Sequence, residues 1–172
     1  MSGWMLDDGP FGMLARFNQP WWSWKPSSFH LADTVAQAAV RDRSGRRQSL
    51  VAHQVGGQDV VVSHAVVAGT DTAATLWSHL RGTSTLATRD LGEDESIALL
   101  VHELRELIFV VLDRKATMIA LAELGSGRVA SPFDYWAWLR SEGVIDGATF
   151  DHLCDRTVLE DGGFPGRPVR FR

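Results

Sequence analysis

The sequence predicts an α/β fold built on a parallel sheet. Three observations carry that prediction. Short apolar segments alternate with segments of helical periodicity along the 172 residues. The run LIFVVL at 107–112 is apolar at every position, the pattern of a strand buried on both faces. Just before it, Ile97, Leu100, Val101 and Leu104 fall at i, i+3, i+4 and i+7, one stripe of a helix.

Taken in order, residues 3–6 form a short apolar strand that ends in Asp7-Asp8 and turns at Gly9-Pro10. Residues 11–17 suit one or two helical turns. Residues 18–29, with three Trp and two Pro, read as an irregular ordered loop. Leu31, Val35, Ala38 and Ala39 predict a helix over 30–40. The connector RDRSGRRQ follows at 41–48, and DVVVS at 59–63 is β-branched enough for a buried strand. A helix weakened by Gly69 is expected over 64–80, then a polar loop to Asp90. After the strand at 107–112, residues 114–124 read as a helix stopped by Gly125. A short strand is expected at 128–130. Ser131-Pro132 supply an N-cap and a first helical residue for a helix ending near Gly143. Asp146 caps a last helix to about Arg156. One domain over 1–158 and an irregular tail over 159–172 follow, with no repeat or linker.

Composition excludes several classes. Apolar residues make up 45% and charged residues 22%, an ordinary globular balance rather than a disordered one. No apolar run reaches the roughly 18 residues of a membrane helix, and no signal peptide is visible at the start, so a cytoplasmic protein is expected. A single cysteine, Cys154, forms no internal disulfide and suits a buried structural thiol. The net charge of −4 argues against holding nucleic acid by bulk charge, though not against a local basic patch.

Two predicted strands end in an acid, Leu6 into Asp7-Asp8 and Leu112 into Asp113, and Glu95 opens the helix before the second. Ligands of open parallel sheets bind beyond the carboxyl ends of the strands. Carboxylates gathered there would hold Mg²⁺ or Mn²⁺, hard cations that take oxygen ligands. The competing reading is structural, since Asp after a strand also caps the next helix.

Four segments together resemble the PIN-domain nucleases: LDDGPFGML at 6–14, LGEDESIALL at 91–100, IFVVLDRKA at 108–116 and SPFDYWAWLRSEGVI at 131–145. The resemblance covers roughly residues 1–17 and 58–158. It implies a three-layer α/β/α sandwich and metal-dependent cleavage of RNA. It further implies Asp7, Glu95 and Asp113 as metal-binding catalytic acids, with Asp8 in place of Asp7 if the strand ends one residue later. A toxin of a toxin–antitoxin pair is one such activity, with an antitoxin as protein partner. Family members often form homodimers, but nothing in the sequence marks a dimer face.

The chain also departs from that pattern. Where the family has a Glu after its second strand, Ala68, Gly69 and Thr70 stand, and Asp71 is the nearest substitute. Val111 occupies a position that is often Thr or Ser. A degenerate member acting as a protein-interaction module is therefore the rival reading. Other motifs fail on spacing. His102-Glu103 has Glu106 rather than His four residues after His102, and DVVVS lacks the Asp of a phosphorylation receiver. Trp21, Trp22 and Trp24 suit loop packing on the core, a partner surface or stacking on RNA bases. Arg41, Arg43, Arg46 and Arg47 suit a solvated loop or contacts to a phosphate backbone. Trp136 and Trp138, two apart on a helix, point to different faces.

Overall fold

The computed structural model describes residues 3–17, 29–82 and 90–160. The chain begins with β1 (Trp4–Leu6), α1 (Asp8–Phe17), β2 (Phe29–Ala32), α2 (Asp33–Val40) and α3 (Arg46–Val51). A small antiparallel hairpin, β3 (Gln54–Val55) with β4 (Gln58–Asp59), leads into β5 (Val61–His64). Then α4 (Asp71–Ala74) runs on as a π turn over Thr75–Leu80. The second half is α5 (Leu91–His102), β6 (Ile108–Val110), α6 (Arg114–Leu124), β7 (Val129–Ala130), α7 (Pro132–Ser141) and α8 (Gly147–Glu160).

Five strands form one parallel sheet in the order β5-β2-β1-β6-β7, flanked by helices in a three-layer α/β/α sandwich. The chain starts at the centre, steps outward through β2 and β5, then returns to the other side of β1 for β6 and β7. The direction of winding therefore reverses between β1 and β6, where Leu6 is in register with Val110. Such a reversal opens a crevice beyond the carboxyl ends of the two strands.

The core lies along β1 and β6. Met5, Leu6, Phe109 and Val110 are fully buried. Trp4 meets Tyr135 and Trp138 of α7 with ring centroids 5.0 and 5.3 Å apart. Trp136 is buried and Trp138 only partly so, as their two-residue spacing requires. The Trp136 indole Nε1 donates to Thr157 Oγ1 at 2.9 Å, and that hydroxyl donates to the Leu153 carbonyl at 2.7 Å. A capping box closes the start of α7, with Ser131 and Asp134 satisfying each other's backbone N–H groups. The Arg128 guanidinium donates to the carbonyls of Leu100, Leu104 and Leu107, tying off the carboxyl end of α5.

The second half of the chain follows its periodicity closely, and the first half does not. The helix expected over 30–40 is β2 followed by α2. A four-residue strand is too short to break the helical spacing of Leu31 and Val35, and only pairing with β1 and β5 reveals it. The strand expected at 59–63 is divided. Asp59 belongs to the hairpin, and Val61–His64 form an exposed-edge strand rather than a doubly buried one. The helix expected over 64–80 begins only at Asp71. Gly69 takes a φ of +84°, which ends the preceding turn, and Thr70 then caps the helix. Helix α1 starts at Asp8, taking in the predicted turn. Among the described residues no helix is long and apolar enough to cross a membrane. Trp21, Trp22 and Trp24, the loop at 83–89 and residues 161–172 of the tail lie outside the described residues.

Candidate active site

Asp7 sits at the reversal point. Its backbone N–H donates to the Val110 carbonyl at 3.1 Å, fixing the end of β1 against β6, and its own carbonyl accepts from Phe11 N–H at 2.9 Å to start α1. The residue is only 5% exposed. Burial pushes its carboxyl up to about 6, helped by the charges of Asp8, Asp113 and Asp90 and opposed by the Asp8 backbone N–H it accepts from.

Asp113 is the N-cap of α6, its carboxylate accepting from Ala116 N–H at 2.9 Å. It is exposed at the mouth of the crevice and within electrostatic reach of Asp7. Asp113 thus caps a helix, and its charge also reaches Asp7 and Glu93.

Helix α5 decides which glutamate joins them. A Cβ on Gly92 would press into the Val35 side chain, so the glycine lets α5 approach α2 closely. Three residues on, and so on the same face, Glu95 accepts the Thr34 N–H at 3.2 Å. Glu95 is thereby held against the first turn of α2, at its positive end. Glu93, turned about 200° from Glu95, faces the acids instead. Its carboxyl is pushed up to about 8 by partial burial and by the negative charges of Asp7, Asp90, Asp113 and Asp94. The resemblance implied Glu95 for this place; the helix phase brings Glu93 there.

Asp90 is the other acid that sequence reasoning missed. It precedes α5 with a φ of +59°, and Lys115 Nζ donates to its carboxylate at 2.7 Å. No motif marked it, because its position depends on a left-handed backbone turn. Asp8 is exposed and bound by Arg47 at 2.6 Å. Asp94 points elsewhere, to a buried ion pair with Arg81 at 2.8 Å. A cleft of about 230 Å³ opens onto Asp7, Asp8, Asp90 and Glu93, with Thr34 and Gly92 on its wall.

The remaining candidates lie apart. Asp71 is an exposed first-turn residue of α4 and does not contribute to the charge felt by Asp7 or Glu93. Arg41 and Arg43 are exposed in the connector, whereas Arg46 and Arg47 line a second cleft beside α1. Cys154 is partly buried and its thiol pushed up by burial, so it is a poor nucleophile.

The donor set is oxygen only and bears several like charges, chemistry that fits a hard divalent cation. Among the described residues, no ion pair reaches Asp7 or Glu93, and no three His, Cys, Asp or Glu side chains stand close enough to share a metal ion as placed. No known family model, curated protein or solved structure matches the chain.

Proposed function

We propose that the chain is a divalent-metal-dependent ribonuclease of PIN type, with Asp7, Glu93 and Asp113 as its principal metal-binding acids. The observation that carries this reading is that these acids, from three separate chain segments, lie within electrostatic reach of one another at the reversal point of the sheet. Three of the four resembling segments contribute Asp7, Glu93 and Asp113. Mg²⁺ or Mn²⁺, when bound, would polarise the phosphodiester and activate water. Asp7 supplies a buried, rigid anchor set by the β1–β6 register. Glu93 supplies a carboxyl that stays mostly protonated at neutrality, gives up its proton as pH rises through about 8, and stands at the cleft wall. Asp113 adds negative charge while keeping α6 in place.

A second reading has its own support. Asp71 is exposed, Glu95 is committed to Thr34, and the family's Glu position is filled by Ala68, Gly69 and Thr70. These features favour a catalytically degenerate interaction module.

Calorimetric titration with Mn²⁺ separates the two. Wild type should bind, Glu93→Gln and Asp113→Asn should lose at least ten-fold in affinity and in RNA cleavage, and Glu95→Gln should stay within about three-fold. A folded wild type that takes up no Mn²⁺ would leave the interaction module as the reading.

A further inference from the structure

Further along the face of α1 that carries Asp8 lies a second cleft, of about 260 Å³, and its character is opposite. Arg16, Arg46 and Arg47 line it together with Gly12, Asp42 and Ser44. Three guanidiniums concentrated here contrast with a chain of net charge −4. The one acid in the wall is already occupied. Asp42 accepts from Ser44 N–H at 3.1 Å, Ser44 Oγ at 2.6 Å and Arg47 N–H at 3.3 Å, which builds the turn into α3. Those bonds hold its carboxyl below the usual range, so it stays an acceptor for the turn.

Arg47 belongs to both clefts. Its guanidinium crosses α1 at Gly12, where a Cβ would collide with it, and reaches Asp8 on the rim of the acidic cleft. The glycine is the seat that lets this side chain lie flat on the helix. The Asp8–Arg47 pair therefore forms the seam between a cation-attracting cleft and an anion-attracting one. A strand of phosphodiesters running along this face of α1 would meet guanidiniums at one end and the acid cluster at the other. Guanidinium forks match phosphate oxygens in geometry as well as charge.

We propose that the α1–α3 cleft binds a phosphate group of a single-stranded RNA next to the one at the acids, and that Arg47 then exchanges Asp8 for that phosphate. This rests on the ribonuclease reading above. Release of Asp8 adds a free carboxylate to the acidic cleft, so RNA and metal ion tighten each other's binding by the same factor.

The test uses a labelled single-stranded 2′-O-methyl RNA oligomer, which resists cleavage. In EDTA, fluorescence anisotropy should show Arg46→Gln binding several-fold more weakly than wild type. Its slope of log affinity against log salt should be shallower by about 0.7, the value for one lost contact to a single strand. Arg46 is exposed, and its removal leaves the turn into α3 intact. Mn²⁺ titrations with and without the oligomer should differ by several-fold in wild type and agree in Asp8→Asn. Unchanged affinity and slope in Arg46→Gln would overturn the phosphate site. Equal Mn²⁺ affinity with and without oligomer would overturn the exchange. Cleavage of ordinary RNA by a protein whose binding ignores Arg46 would sink this inference alone, and Arg46-dependent binding without Mn²⁺-dependent cleavage would sink the ribonuclease reading alone.

Discussion

Strand β1 ends in two opposite environments. At one end Trp4 packs on Tyr135 and Trp138, beside a buried Trp136 whose indole N–H is satisfied by Thr157. At the other, Asp7 is as buried as Trp4, both 5% exposed, yet it faces other acids. Burying a satisfied aromatic group stabilises a fold, and burying a carboxyl among like charges opposes it. The aromatic layer packs the core. The acidic end keeps an unfavourable arrangement that a stable core alone would not select, which is what the proposed metal site rests on.

The sharpest way to break this contrast is Trp136→Ala. Loss of a buried ring and the cavity left behind should cost about 3–5 kcal/mol, read from the denaturant midpoint. A cost under 1 kcal/mol would mean the aromatic layer is not the stabilising region.

Asp7→Asn should act in the opposite direction. The folded pKa of about 6 lies above the ordinary 3.8, so the folded state binds more protons than the unfolded one between those values. Asp7 therefore lowers stability progressively as pH rises through about 6, and Glu93 does the same up to about 8. At pH 8 in EDTA, Asp7→Asn should be more stable than wild type by on the order of 2 kcal/mol, with little difference at pH 4. Thermal melts across that range check it, and a destabilised variant at pH 8 would reverse the reading. Millimolar Mn²⁺ should raise the melting temperature of wild type and not of Asp7→Asn.

The smallest effect is Ser131→Ala, which removes half of the capping box at the start of α7. It should cost about 1 kcal/mol and leave Mn²⁺ affinity unchanged. A change in Mn²⁺ affinity would show that the aromatic layer and the acidic end are coupled through β1.

Residues 91–156 were legible because their signals are local. Helix stripes, Gly125 and Ser131-Pro132 each act within a few positions, and α6 begins and ends where the spacing puts it. The first half resisted because its strands are short and defined by pairing. Phe29–Ala32 carry no strand signature apart from their neighbours β1 and β5. In the site, Asp7 and Asp113 were legible as acids closing apolar strands. Glu93 was not, since Glu93, Asp94 and Glu95 are consecutive acids of equivalent chemistry.

The sequence by itself determined the parallel α/β class, the two acid-ended strands and the capped helices of the second half, because period and capping are properties of neighbouring residues. Tertiary structure alone decided which acids share the cleft. The rotation of α5, set by Gly92 against Val35, sends Glu95 to Thr34 and Glu93 to the cleft. The seating of Arg47 on Gly12 joins two clefts whose residues lie far apart in the chain. Helix phase and cross-chain seating depend on what each face packs against, and that is fixed only when the layers close.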